Sequence, residues 1–234
     1  MIVTFKMRFH YKKTIILILT LLFTNFAYAQ KSDVGTWFSY FGNQKINNKW
    51  NLWNEVQYRN YNFAGDLQQL LLRTGIGYNL TENNNNVLLG YAFINSQRYL
   101  PNEEEKIGTN EHRIYQQFIT RQNFGKIFLQ HRYRVEQRFL PGEFQSRFRY
   151  FLSVNIPVNK QTMTDKALYV SAYNEIFLNA QNANFDRNRL YGGLGYVINK
   201  SFKVEAGFMA QTLETTNRNQ FQIILFNNLP FKQK

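Results

Sequence analysis

Hydrophobic and polar residues alternate with a period of two along most of the chain. The segment from Ile127 to Phe139 shows this pattern most clearly. One parity holds Ile127, Leu129, Tyr133, Val135 and Phe139, and the other holds Gln130, Arg132, Arg134, Glu136 and Arg138. Because a β-strand turns successive side chains to opposite faces, this segment is predicted to be a strand with one apolar and one charged face.

Similar segments recur about every eighteen residues and predict eleven strands. They are 34–42, 49–59, 67–78, 87–98, 111–122, 126–139, 146–157, 167–178, 188–198, 202–213 and 220–231. Most of them have a dominant apolar parity. In 111–122 the parity is ambiguous, because Ile114 and Phe118 lie on one parity and Tyr115 and Ile119 on the other.

The N-terminal residues have the pattern of a secretory signal peptide. A basic stretch, an apolar run and a small-residue site follow one another: Lys6, Arg8, Lys12 and Lys13, then 14–23, then Ala27-Tyr28-Ala29. The apolar run is far shorter than the ~20 residues of a membrane-spanning helix. We therefore expect cleavage after Ala29, with residues 1–29 as the signal peptide and residues 30–234 as one mature domain.

Amphipathic strands behind a secretory signal predict a closed barrel with an apolar outside and a polar lumen. The 22 Phe, 15 Tyr and 3 Trp suit the aromatic girdles of such barrels. The predicted fold class is therefore all-β, a single antiparallel transmembrane β-barrel of about 10–12 strands in the cell outer membrane. Since bacterial barrels usually have even strand numbers, either 34–42 is not a full strand or one segment is miscounted. A soluble secreted β-sandwich that binds glycans or proteins is the alternative.

The connections between the predicted strands alternate between two classes. Gln122–Gly125 and Asn199–Ser201 are tight turns, whereas Tyr99–Asn110 and Asn179–Arg187 are longer and more polar. Outer-membrane barrels have short periplasmic turns and longer outer loops. We therefore expect the longer class to face the exterior.

Charge and composition exclude several function classes. The 28 basic and 15 acidic residues give +13, and removing the four basic residues of the signal leaves 24 − 15 = +9. These basic residues are not clustered as in a nucleic-acid site, so no nucleic-acid partner is expected. The absence of Cys excludes disulfides, thiolate metal sites and lipoprotein anchoring. The three His, at positions 10, 112 and 131, predict no metal cluster, and no cofactor is expected.

Four blocks of the sequence resemble a known family. They are 131–139 (HRYRVEQRF), 147–150 (RFRY), 173–179 (YNEIFLN) and 188–196 (NRLYGGLGY). They resemble the domain-of-unknown-function family twenty-four-ninety (DUF2490), and the likeness extends over essentially the whole mature chain. The resemblance implies an outer-membrane β-barrel of a Gram-negative bacterium. It implies no catalytic residues.

The charged parity supplies the candidate lumen and ligand residues. If a hairpin turns near Gly142, Glu136 faces Arg147 or Arg149 across the strands. The candidate residues are Arg132, Arg134, Glu136, Arg138, Arg147, Arg149, Tyr173, Glu175 and Arg189. Two interpretations stay open. The ion pairs fill a narrow barrel, or the arginines form an anion-selective pore or a pocket for an acidic ligand. The expected function is accordingly structural, or the binding or passage of a small solute or lipid at the lumen. The expected partners are outer-membrane lipid and a small anionic ligand.

A lipid-modifying enzyme at the barrel wall is the alternative from another class. Such an enzyme needs a nucleophilic Ser, a His base and an orienting group on the lipid-facing wall. His131 lies on the apolar parity, but a hairpin turning near Phe124 would place it opposite Gln117, with no Ser nearby in sequence. An interfacial His is therefore favoured, and no catalytic residue is predicted.

Overall fold

The computed structural model describes residues 34–81, 84–101, 103–181 and 184–231, which form eleven β-strands and no helix. The strands are β1 Val34–Lys45, β2 Trp50–Asn60, β3 Leu67–Asn79, β4 Asn85–Tyr99, β5 Lys106–Phe124, β6 Ile127–Leu140, β7 Glu143–Pro157, β8 Leu168–Asn179, β9 Asn184–Val197, β10 Phe202–Leu213 and β11 Asn217–Asn227. Within these ranges no helix is long and apolar enough to cross a membrane. The predicted signal peptide, 1–29, lies outside the described residues.

The eleven strands form one sheet that closes on itself. Consecutive strands pair antiparallel, and β1 closes the barrel by pairing in parallel with β11, from Val34 opposite Asn219 to Gly42 opposite Asn227. A meander with an odd number of strands must bring its first and last strands together in the same direction. The expectations of an even number and of purely antiparallel pairing were therefore wrong, and 34–42 is part of a full strand.

The two faces of the sheet differ as the alternation predicts. Tyr133 and Phe139 are exposed on the outer face of β6, whereas Glu136 on the inner face is completely buried. In β5 the ambiguity is resolved, because Tyr115 and Ile119 are buried inside and Ile114 is exposed outside. The single closed sheet excludes the β-sandwich alternative.

The barrel has two rims. The upper rim is the end where β1 begins, and its connections are 61–66, 100–105, 141–142, 180–183 and 214–216. The lower rim is the end where β11 ends, and its connections are 46–49, 80–84, 125–126, 158–167 and 198–201. The predicted difference in loop length was wrong. The strands extend into the segments expected to be long loops, and the longest connection, 158–167, lies at the lower rim.

A hairpin at the upper rim extends past its neighbours. β4 pairs with β3 only as far as Ser96, and β5 pairs with β6 only from His112. From Gln97 in β4 and up to Glu111 in β5, toward the upper rim, the two strands pair only with each other, as far as Tyr99 opposite Lys106. The upper rim therefore has a projecting two-stranded tip although its connections are short.

Glycines on the inner face give space to tyrosine rings. A Cβ atom on Gly90 would overlap the ring of Tyr115, and one on Gly195 would overlap the ring of Tyr169. Both tyrosines are almost fully buried. The strand glycines therefore let large rings pack against the inner wall, as glycine inside a curved sheet commonly does.

Candidate functional site

Glu136 is the centre of an ion-pair network in the upper half of the lumen. It lies directly opposite Arg147 across β6 and β7. Its carboxylate accepts hydrogen bonds from Arg147 Nη2 at 2.7 Å and Arg149 Nη1 at 2.5 Å. Arg113 and Arg134 each bring a guanidinium nitrogen to 3.5 Å from it. Four arginines from three strands therefore surround one carboxylate that is shielded from solvent.

Glu175 on β8 extends the network toward the lower half. Its Oε1 accepts hydrogen bonds from Arg132 Nη2 and Arg149 Nη2, both at 2.7 Å, and Arg189 Nη1 lies 3.7 Å from Oε2. Arg149 thus bridges Glu136 and Glu175. Buried arginines are well suited to this arrangement, because the planar guanidinium can donate to two carboxylates at once.

Further pairs fill the space toward the upper rim. Glu111 binds Arg113 Nε and Arg138 Nε, each at 2.6 Å. Arg147 Nη1 also contacts Asp186 Oδ2 at 2.8 Å. On the opposite wall Glu55 pairs with Arg73. Every carboxylate in this part of the lumen therefore has at least one guanidinium partner among the described residues.

Aromatic rings support several guanidinium groups from one face. The Cζ atoms of Arg149 and Arg189 lie 4.4 and 4.7 Å from the ring centroid of Phe177. That of Arg59 lies 3.7 Å from the Trp37 ring. Cation–π contacts of this kind partly replace lost hydration, with typical energies of about 0.5–2 kcal/mol. They fix the arginines in place as well as neutralising them.

A cavity of about 390 Å³ lies below the network. Its described lining includes eight basic and three acidic side chains, an excess of five positive charges. They are Arg59, Arg73, Arg121, Arg132, Arg134, Arg149, Arg189 and Lys203, and Glu55, Glu175 and Glu205. Trp37 and Arg59 at its upper side are buried, whereas Asn43 and Asn155 near the lower rim are partly exposed and Asn228 is exposed. Solvent access is therefore from the lower rim.

Several cations of this lining have no carboxylate partner. Within the described ranges, Arg59, Arg121 and Lys203 form no ion pair. Two buried guanidinium nitrogens, Arg73 Nε and Arg134 Nη1, find no hydrogen-bond acceptor among the same residues. Buried donors are normally paired, because an unpaired one costs about 1–3 kcal/mol. These two nitrogens are shielded within the wall, and Arg134 Nη1 faces Glu136 Oε1 at 3.5 Å, so the cavity offers positive charge mainly through Arg59, Arg121 and Lys203.

The structure divides the candidate residues between the two parts of the lumen. Six of them line the cavity: Arg132, Arg134, Arg149, Tyr173, Glu175 and Arg189. Glu136, Arg138 and Arg147 belong to the network above it. Sequence reasoning did not include Glu111 and Arg113 because the parity of β5 was ambiguous. Arg121 was left out for the same reason, whereas Lys203 and Glu205 were left out although each shares the charged parity of its strand.

The two histidines within the described residues lie on the outer face. His131 is opposite Thr120 and Leu152, not Gln117, because the hairpin turns at 125–126. Its Nδ1 lies 2.9 Å from the Tyr150 hydroxyl, and the corresponding distance from His112 to Tyr91 is 2.6 Å. No group of three or more His, Cys, Asp or Glu in the described ranges is arranged for a metal ion. Each ring is therefore paired with a tyrosine and not with a nucleophilic serine.

Comparison with known proteins gives one match. The family model for "Protein of unknown function (DUF2490)" matches residues 34–222, which include the barrel strands up to the first half of β11. The chain belongs to this family. No curated protein and no solved structure matches it significantly. This member of DUF2490 is thus a closed eleven-stranded barrel.

Proposed function

We propose that this DUF2490 protein is an outer-membrane barrel that binds a small anionic solute in its lower cavity. The observation that carries the proposal is the lining of that cavity, with eight basic side chains against three acidic ones. Low-dielectric walls strengthen the attraction between such a lining and an anion. Arg121 and Lys203, which line the cavity without an ion pair among the described residues, supply charge-assisted hydrogen bonds to anionic oxygens.

The outer face supports the membrane location. Large apolar side chains are exposed on all eleven strands. Examples are Tyr58, Ile76, Leu89, Ile114, Tyr133, Phe148, Val170, Leu190, Phe208 and Leu225. Water would not favour so much exposed apolar surface, whereas a closed barrel leaves no unpaired sheet edge in a bilayer. Together with the signal-like N-terminus, this surface favours insertion into the outer membrane.

Cell fractionation tests the location. We expect the mature protein in the outer-membrane fraction, with a different apparent size on unboiled gels because a closed barrel resists detergent unfolding. Recovery in the soluble periplasm would contradict the membrane proposal. For orientation, we expect the variants Glu104→Cys and Gly108→Cys in the projecting hairpin to react with a thiol reagent outside intact cells. The variant Lys200→Cys should not react, and the reverse result would mean that the barrel has the opposite orientation.

Binding is favoured over passage because the upper half of the lumen is filled by paired side chains. Glu136, Arg134 and Arg147 are each almost completely buried in the network. We therefore expect no steady current when the protein is inserted into planar bilayers. A steady anion-selective conductance would favour the pore interpretation, in which replacing Arg134 and Arg149 with Gln should reduce the selectivity.

Titration calorimetry with inorganic phosphate in detergent tests the anion site. The variant R121Q/K203Q removes two cavity cations that form no ion pair among the described residues. We expect its affinity for phosphate to fall about tenfold, at an unchanged unfolding temperature. The matched control K49Q/K126Q removes two exposed lower-rim lysines outside the cavity. Equal losses in both variants, or no binding by the wild type, would contradict a specific anion site.

A further inference from the structure

The cavity has aromatic walls on opposite sides of the barrel. On one side Phe41 stacks on Trp53 with ring centroids 5.9 Å apart, and contacts Phe226 at 5.5 Å. On the other side Phe151 and Tyr173 lie 5.1 Å apart. All five rings line the cavity. The first group lies on β1, β2 and β11, and the second on β7 and β8, about half of the barrel circumference away.

Polar groups without charge also line the cavity. Ser39, Ser153 and Ser171 are buried there, and their hydroxyls form no hydrogen bond with any described residue. Asn155 Oδ1 is likewise buried without a partner among those residues. Amide side chains complete this part of the lining: Asn43, Gln117, Gln130 and Gln222. The walls therefore present neutral donors and acceptors as well as cations.

We propose that the solute is an acidic sugar, a pyranose ring that carries a carboxylate. This inference rests on the proposed anion site and specifies its ligand class. Aromatic rings favour contact with the apolar C–H faces of a pyranose, because the ring face is electron-rich. The serine hydroxyls match its hydroxyls, and the carboxylate matches Arg121 and Lys203, cations of the lining that form no ion pair among the described residues.

Other small anions match only part of this lining. Inorganic phosphate uses the cations but leaves the aromatic walls without a partner. An aromatic acid uses the rings and the cations, but it would leave the buried serine hydroxyls unpaired, which costs free energy. A cavity of about 390 Å³ also lies within the size range of small-molecule sites, roughly 300–1,000 Å³.

The three tryptophans provide a direct binding signal. Trp37 and Trp53 line the cavity, whereas Trp50 is exposed and packs against Tyr78. The variant W50F therefore retains only the two cavity tryptophans. We expect glucuronate or galacturonate to change its emission saturably. Calorimetry on the unmodified barrel should give at least tenfold tighter binding of glucuronate than of glucose, benzoate or phosphate.

Substitution of an aromatic residue in the cavity wall distinguishes recognition of the sugar ring from recognition of the negative charge. F151L removes a ring from the cavity wall, and F148L on the same strand removes an exposed ring from the outer face. We expect F151L to weaken glucuronate binding about tenfold and phosphate binding much less, because the Phe151 ring also supports the Arg132 guanidinium at 4.3 Å, whereas F148L should change neither. Equal losses in the two variants would contradict a role for the cavity wall.

The possible failures are distinguishable. If no anion binds, the anion site itself is wrong. If phosphate or benzoate binds as tightly as glucuronate, the proposed anion site is retained, but the assignment of an acidic sugar as its ligand is overturned. If glucose binds as tightly as glucuronate, the carboxylate is not recognised and the inference is also overturned.

Discussion

The upper and lower halves of the lumen use the same residue types for different purposes. In the upper half each carboxylate is held by guanidinium groups, and Glu136 alone has four within 3.5 Å. In the lower half Arg121 and Lys203 face the cavity without an ion pair among the described residues. A buried cation with a carboxylate partner stabilises the barrel, whereas an accessible cation without one is available to a ligand. The ratio of carboxylates to guanidinium groups therefore distinguishes the half of the lumen that stabilises the barrel from the half that is available to a ligand.

The largest effect is expected from breaking the centre of the upper network. Glu136→Ala leaves Arg113, Arg134, Arg147 and Arg149 facing one another in a buried space. Removing one partner of a buried ion pair typically costs about 3–5 kcal/mol. We expect a clear fall in the thermal unfolding temperature, measured by circular dichroism in detergent.

The control for this prediction is Glu104→Ala, in the exposed connection 100–105. It should leave the unfolding temperature nearly unchanged. If Glu136→Ala gives no folded protein, Glu136→Gln retains the side-chain shape and should unfold at an intermediate temperature. Equal unfolding temperatures for Glu136→Ala and Glu104→Ala would show that the network does not stabilise the barrel.

A medium effect is expected at the boundary between the halves. Glu175→Gln removes a carboxylate that binds Arg132 and Arg149 at 2.7 Å and also lines the cavity. We expect stability to fall by about 1–3 kcal/mol, because the buried guanidinium groups lose a charged acceptor. Phosphate affinity should rise several-fold, because the cavity loses a negative charge. The same calorimetry and unfolding measurements check both outcomes.

Glu205→Gln is the matched control for the boundary. Glu205 also lines the cavity, but it accepts a hydrogen bond from the Tyr169 hydroxyl at 2.7 Å and forms no ion pair within the described residues. It should raise phosphate affinity with a smaller loss of stability. If both variants leave the affinity unchanged, cavity charge does not govern binding, and the division between the halves is wrong.

The sequence predicted the strands and their faces well because both follow from local alternation. All eleven segments became strands, and the register of β6 and β7 followed from the turn at 141–142. The parallel pairing of β1 with β11 could not be predicted, because it joins residues nearly two hundred positions apart. The register of β5 and β6 was also misjudged, because the turn lies at 125–126 and not near Phe124.

The division of the lumen was not predictable from parity alone. Parity places Arg121, Arg134 and Lys203 on the inner face but does not say which of them meets a carboxylate. That outcome depends on the height of each residue in the barrel and on neighbours from distant strands. The cavity itself depends on inner side chains too short to fill the lumen, such as Ser153 and Ser171.

The smallest effect on stability is expected from added salt, which distinguishes the two halves of the lumen without a mutation. Buried ion pairs are screened much less than accessible charges. Raising NaCl from about 0.05 M to about 0.5 M should therefore lower phosphate affinity about tenfold, with only a slight change in the unfolding temperature. Sodium isethionate at equal ionic strength should have a weaker effect on affinity, since its larger anion competes less well for Arg121 and Lys203. A large fall in unfolding temperature with salt would mean that water and ions reach the Glu136 network, and that the upper half is not closed.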